Sequence, residues 1–431
     1  MRVLLLGSGG RESAIASTLR RSAGVETLVV APGNPGIAAH AETLRLDPEN
    51  PEAVVAAAAR VKPDLVVVGP EGPLSAGVGD ALRATGIDVF GPNAGPARVE
   101  ASKAFAKEVM SHADVVVPRW GLFSDPDEAI ALMDELGPPY VIKADGLAAG
   151  KGVVVTEDRS EAVAAVRERL VTKSFGAAGD SIVIEEFLDG QEVSLIAFTD
   201  GKTVVPCEPA QDYKRAFDGD AGPNTGGMGS YSPVPVCPSD VAESIVSEVM
   251  RPVVKALGAL AGEPFVGALY GGFVLTSRGP RVLEFNARFG DPETQALLPR
   301  LESDFAEICL ACARGELEGT KAQWSSSVSV ALVLASKGYP GSYATGLEIT
   351  GVEAASALEG VDVFHAGSAL RDGKLVTSGG RVLAVNALGD SFSSARALVY
   401  KAAEMIDFEG KHMRSDIALR AEQATTTGGE R

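Results

Sequence analysis

The chain has 431 residues, 45% of them apolar and 22% charged, with a formal net charge of −18. That length exceeds what one hydrophobic core organises, so several domains are expected. The acidic balance disfavours a nucleic-acid partner, which would need a basic face to displace counterions from phosphates.

The chain opens on a short apolar run, Val3–Leu6, that stops at Gly7-Ser8-Gly9-Gly10 and is too short for a secretion signal. No apolar stretch approaches the roughly 20 residues that cross a bilayer, so no membrane partner and a cytoplasmic location are expected. Strands are predicted at Val3–Leu6, Thr27–Ala31, Leu65–Gly69 and Val89–Phe90, and helices at Glu12–Arg21, Glu52–Ala59 and Leu74–Ala84. Apolar strands alternating with helices indicate a doubly wound parallel sheet, with ligands at the carboxyl ends of its strands. The loops there are Gly7-Ser-Gly-Gly-Arg-Glu12, Pro32-Gly33-Asn34 and Gly69-Pro70-Glu71. The first offers backbone N–H groups, a helix N-terminus and Arg11 to an anion, which suits a phosphate or phosphosugar, although a plain tight turn has the same composition. A dinucleotide fingerprint would want a third glycine where Glu12 stands.

A Gly/Pro joint, Gly91–Pro96, ends this unit, and Ser102 then caps a helix carrying Lys103 and Lys107. Next comes Tyr140-Val-Ile-Lys143-Ala-Asp-Gly146-Leu-Ala-Ala-Gly150-Lys151-Gly152, a strand, a small-residue loop and a second strand. Such a hairpin can close over phosphates as a flap, with Lys143 on the strand and Lys151 on the loop. Lys151 is followed by Gly-Val-Val instead of Ser or Thr and a helix, so this is no Walker loop. Further on, an apolar strand ends in Glu185 and Glu186, and Glu192 opens another. A linker of this kind can offer its backbone to an adenine edge and Glu192 to ribose hydroxyls.

The densest pattern is Glu284-Phe-Asn286-Ala-Arg288-Phe-Gly-Asp291-Pro-Glu-Thr-Gln295. Alternation along a strand puts Glu284, Asn286 and Arg288 on one face: two oxygen ligands for a hard cation, then a guanidinium. That is a phosphoryl-transfer arrangement. The four cysteines lie in apolar settings, and the Cys309/Cys312 pair lacks a second pair for zinc, so core packing is expected. After Ser325 the strand-like runs Val328–Ala335 and Arg381–Val385 and the helical Ser391–Ile406 suggest a small α+β domain, with His365 a structural or sugar-rim residue. The tail 425–431 has no apolar anchor and is expected to be disordered.

Together these segments resemble the ATP-grasp superfamily, and within it the phosphoribosylamine–glycine ligase family. The resemblance runs over nearly the whole chain and also rests on Gln211-Asp-Tyr-Lys-Arg215, Gly222-Pro-Asn-Thr-Gly-Gly-Met-Gly229 and Phe364-His-Ala-Gly367. It implies a pre-ATP-grasp domain over 1–101, an ATP-grasp domain over 102–325 with a mobile flap at about 123–190, and a C-terminal α+β domain over 326–424. The reaction implied is ligation of glycine to 5-phosphoribosylamine, with ATP split to ADP and phosphate through glycyl phosphate, in purine biosynthesis. The alternatives are an ATP-grasp carboxylase of a nucleotide or biotin, and a non-catalytic nucleotide sensor.

Carried over by motif, Lys103, Lys143, Gly146, Gly150, Lys151, Gly152, Glu185, Glu186 and Glu192 would bind ATP. Glu284 and Asn286 would hold Mg²⁺ or Mn²⁺. Arg288, Asp291, Asp212 and Lys214 would act at the reacting groups, and Gly9, Gly10, Arg11, Asn34, Glu71, Asn224, Thr225 and Gly226 would contact substrates. The implied partners are the small molecules alone, in a monomer or weak homodimer. Ser13 and Tyr213 stand where many family members carry His, so neither imidazole can be essential in this chain. The strand region Phe265–Leu275 offers no further metal carboxylate.

Overall fold

A computed structural model describes residues 1–146, 152–172 and 180–428. The expected Gly150 and Lys151 lie outside the described residues.

The N-terminal sheet has five parallel strands in the order Glu42–Thr43, Thr27–Pro32, Arg2–Gly7, Leu65–Val68, Asp88–Phe90. The inner stretches Val3–Leu6, Leu28–Ala31 and Leu65–Val68 are continuously apolar because both faces are covered. Leu4, Leu6, Val29 and Val66 enter one core, while Val3, Leu5, Val30 and Val67 enter another. The helix after the first strand spans Gly10–Arg21. The predicted helix Leu74–Ala84 is two, Glu71–Ser75 and Val78–Arg83, divided at Gly77 with φ +79°. The two-residue edge strand Glu42–Thr43 is too short to carry a periodic signal.

Two antiparallel four-stranded sheets follow. One, in the order Trp120–Phe123, Ile182–Glu185, Tyr140–Ala144, Val153–Thr156, has its own small core of Ala129, Met133, Ile142, Ala162, Val166 and Ile184. The other runs Val204–Pro206, Gln191–Thr199, Gly267–Thr276, Gly279–Asn286. A six-stranded sheet gathers Val328–Ser336, Arg381–Gly389, Val361–His365 and Lys411–His412 with two strands from earlier in the chain, Gln211–Asp212 and Gly229–Ser232. The segment 211–232 is therefore fastened to the C-terminal sheet.

Of the expected disordered tail, residues 425–428 instead continue the helix Leu419–Gly428. The anchor lies upstream, where Ala418 and Ala421 are buried and Glu422 pairs with Arg396 at 2.8 Å. Residues 429–431 lie outside the described residues. The four cysteines are buried and free, and no described helix is long and apolar enough to cross a membrane.

His365 ties the first and last domains. Its carbonyl accepts from Ser13 Oγ at 2.6 Å and Asn34 Nδ2 at 2.8 Å, and its Nδ1 lies 2.9 Å from Ser368 Oγ. Burial, with a smaller contribution from His40, lowers the imidazole pKa to about 4. An unfolded histidine titrates near ~6.5, so between these values the unfolded chain binds the extra proton. The contribution is whole above the unfolded value and is lost as pH falls through the folded one, up to roughly 3 kcal/mol. His365→Asn is expected to flatten that part of the stability profile, measured by urea unfolding from pH 7 to 4; an unchanged slope would remove His365 from the acid response.

Candidate active site

The three sheets and the C-terminal region surround one cleft of about 840 Å³. At one end Val141, Val153, Val155, Val183 and Leu283 form an apolar slot. Lys103, Lys107 and Lys143 stand beside it. Ser102 Oγ accepts from Phe105 N at 3.1 Å, and the Asp145 carboxylate accepts from Lys103 N at 2.6 Å, so one helix N-terminus is capped from both the joint and the hairpin. Lys103 Nζ reaches the Gly146 carbonyl at 3.3 Å.

Glu185 is 3% exposed and pairs with Lys143 and, at 2.9 Å, with Lys107. Burial pushes its carboxyl up, but the two ammoniums prevail and hold it below the usual range. Its oxygens are thus occupied in orienting two lysines. Glu186 is turned toward Arg119 and Arg278, and Glu192 pairs with Lys214 at 2.9 Å.

The register of the strand Gly279–Asn286 shifts at Leu283: Gly272 faces Glu284, and Phe273 faces Val282. Strict alternation would put Val282 and Glu284 on the same face. The bulge lets Val282 and Phe285 both enter the core while Glu284 and Asn286 face the cleft. Lys214 Nζ lies 3.9 Å from Glu284 Oε1. Against the desolvation of burial, Lys214, Lys143 and Lys103 hold Glu284 below the usual carboxylate range. An ionised carboxylate beside an amide oxygen fits a hard cation. Among the described residues no group of three or more His, Cys, Asp or Glu could hold a metal by itself. Two protein oxygens suit a cation whose other ligands come from a nucleotide.

At the other end Arg288 leaves the strand and pairs with Glu100 at 2.7 Å and Glu71 at 3.3 Å. Glu71 also reaches Arg11 at 3.7 Å, and Arg11 bonds Glu12 at 2.6 Å and the Phe289 carbonyl at 3.2 Å. Acids and guanidiniums therefore alternate from the first sheet to the metal-facing strand. Asp291 pairs with Arg381 at 3.1 Å and accepts from Gln295 at 2.7 Å. Asp212 Oδ1 has no hydrogen-bond partner, and burial, then the nearby Glu293, raise that carboxyl well above its usual range. Thr225 Oγ1 donates to the Lys214 carbonyl at 2.9 Å, folding the 224–227 loop onto Lys214.

Of the sequence-predicted residues, Gly9, Gly10 and Asn34 stand behind the cleft wall. Gly9 N donates to Glu12, and Gly10 is packed so closely that an added Cβ would meet Gln295 Nε2 at 2.7 Å. Asn34 caps Pro35–Ala38, and its amide bonds Ser8, Ser13 and His365. Ser13 is engaged in the same contacts, while the Tyr213 ring lies under Arg414 with 4.7 Å from Cζ to the ring centroid. The sequence reading misses Glu100, Lys107, Glu293, Tyr339 and Arg381 as cleft residues. Glu293 was legible in the Gly-Asp-Pro-Glu run and Arg381 in Ser378-Gly-Gly-Arg381; Glu100, inside an ordinary helix, leaves no local signal.

Family models match the whole arrangement in order: phosphoribosylglycinamide synthetase N domain at residues 1–100, its ATP-grasp (A) domain at 101–294, and its C domain at 329–420. The phosphoribosylamine–glycine ligase of Rhizobium meliloti (strain 1021) is 47% identical over 98% of this chain and 99% of its own. The human trifunctional purine biosynthetic protein adenosine-3 is 47% identical over 97% of this chain, which spans 42% of that longer protein. A phosphoribosylamine–glycine ligase structure from Thermotoga maritima superposes with a TM-score of 0.84 at 34% identity, covering 97% of this chain and 100% of the other. A biotin carboxylase from Campylobacter jejuni shares the fold alone, with a TM-score of 0.74 at 16% identity over 98% of this chain and 95% of its own. That likeness does not favour the carboxylase alternative. With three family domains in sequence and such identity along nearly its full length, the chain belongs to the phosphoribosylglycinamide synthetase family, ATP-grasp ligases that join glycine to 5-phosphoribosylamine in purine biosynthesis.

Proposed function

We propose that ATP lies with its base in the valine-rich slot and its phosphates toward Lys103 and Lys143, and that glycine and the phosphosugar meet beyond Glu284. The observation that carries this placement is that Lys103, Lys143, Lys214 and Glu284 line one cleft, with Lys214 Nζ 3.9 Å from Glu284 Oε1. Glu284 and Asn286 would hold the divalent metal, Mg²⁺ or Mn²⁺, whose charge when bound screens phosphate oxygens. Gly146 and Gly152 border the phosphates, Glu186 the base and Glu192 the ribose. Glu185 acts through Lys143.

Glycine needs activation because its carboxylate has no good leaving group. A carboxylate oxygen attacks the γ-phosphorus, the bond to the bridging oxygen breaks, and ADP departs, leaving glycyl phosphate. The amine nitrogen of phosphoribosylamine then attacks the acyl carbon, the acyl C–O bond breaks, phosphate leaves and the nitrogen loses a proton. Lys214, held charged by Glu192 and Glu284 against desolvation, would screen the two anions as they approach. Asp212 lines the same chamber, and its Oδ1, which has no hydrogen-bond partner among the described residues, would take up the amine proton. Arg288, Asp291 and the loop Asn224-Thr225-Gly226 border the acyl group. Arg11 and Glu71 face the phosphosugar, with Gly9, Gly10 and Asn34 shaping the wall behind them.

Glu284→Gln is expected to lower glycine-dependent ADP release by about 10²–10³-fold, the usual cost of losing an electrostatic contact to a transition state. The assay uses Mg·ATP and fresh phosphoribosylamine, with and without glycine, and identifies the product by mass; near-parental turnover would dismiss the metal assignment. Lys143→Ala, which leaves Glu185 its Lys107 partner, should raise the KM for ATP roughly 10–100-fold through a lost charge-assisted hydrogen bond. The KM for glycine should stay within about twofold, and the reverse pattern would move Lys143 to the substrate side.

A further inference from the structure

The loop Asn224–Gly227, assigned above to the glycine side, is gripped at a single residue by two side chains from the C-terminal region. Gly226 N donates to Tyr339 Oη at 2.9 Å, while the Gly226 carbonyl accepts from Arg381 Nη1. The same Nη1 donates to the Asp291 carbonyl at 2.8 Å, and Nη2 pairs with Asp291 Oδ2 at 3.1 Å. One guanidinium therefore joins two loops that the chain separates by 65 residues. There is little slack: a Cβ on Gly226 would lie 3.1 Å from Arg381 Cζ and 3.3 Å from Tyr339 Oη.

The approach of Arg381 depends on two glycines before it. An added Cβ at Gly367 would meet Gly379 Cα at 2.6 Å, and one at Gly380 would meet the Tyr339 ring at 2.3 Å. The backbone is pressed close at both points, so Arg381 leaves the end of its strand directly over the cleft. Tyr339 and Arg381 both line that cleft, and the planar fork of Arg381 meets two carbonyls and a carboxylate in a fixed geometry that the single ammonium of a lysine does not reproduce.

We propose that Arg381 and Tyr339 are positioning residues: they clamp Gly226 and Asp291 so that the C-terminal region sets the geometry of the glycine and acyl-transfer chamber while leaving nucleotide binding to the other sheets. This rests on the ligase reading of the site. Misplacing reacting groups by about an ångström costs on the order of 10²-fold in rate. Arg381→Met should therefore reduce kcat/KM for glycine by about 10²-fold, with Mg·ADP affinity, measured by calorimetry, held within about twofold. Arg381→Lys should recover only part, because it restores charge without the fork. Tyr339→Phe removes one acceptor oxygen and should act in the same direction by roughly tenfold, the scale of one lost hydrogen bond. It carries the test if Arg381→Met fails to fold by circular dichroism. Glycine kinetics near parental values in the folded variants would overturn the clamp, as would Mg·ADP affinity falling in step with glycine. ADP release by the parent chain without glycine would instead overturn the ligase reading beneath it.

Discussion

Burying a lysine in a protein costs free energy unless an anion stands beside it, and burying an acid costs the same in reverse. A chain of net charge −18 that must bring together a nucleotide, a carboxylate and a phosphosugar can do so only by gathering its cations in one cleft and giving each an acid to keep it charged. Glu185 does this for Lys107 and Lys143, Glu192 and Glu284 for Lys214, and Glu71 and Glu100 for Arg288. Lys107, Lys143, Lys214 and Arg288 are thereby each oriented by carboxylates supplied from other elements, while Lys103 is held by the Gly146 carbonyl.

That constraint explains why the domains meet where they do. Arg11 and Glu71 come from the carboxyl ends of the first sheet, Glu100 from the helix after it, Lys143 and Glu185 from the small antiparallel sheet, and Glu284 and Arg288 from the metal-facing strand. The C-terminal region adds Tyr339 and Arg381 and shares its sheet with the segment 211–232. It is a wall of the reaction chamber as well as a scaffold, because its strand pairs with the segment that carries Asp212.

Ser13 and Tyr213 illustrate how a family site tolerates substitution. Ser13 hydrogen-bonds the His365 carbonyl and the Asn34 amide, and Tyr213 packs between Arg414 and Tyr231. Both residues serve the seams between domains through hydrogen bonding and ring packing, interactions that need no titrating imidazole.

The parallel N-terminal sheet was legible because a strand covered on both faces must be apolar throughout, and the metal-facing strand because Glu284 and Asn286 alternate with buried neighbours. Family resemblance added the order of domains and the reaction. Pairings between distant segments were not legible: Glu100 with Arg288, Glu185 with two lysines, Arg381 with Gly226, and the bulge at Leu283 that turns Glu284 to the cleft. Nor did composition reveal that Asn34 is occupied as a cap or that residues 425–428 continue a helix. Local sequence determines periodicity, caps and the residue types of a phosphate loop, since these depend on neighbours along the chain. Which charges neutralise one another, and which loops share one guanidinium, depends on separations that exist only after the sheets have packed.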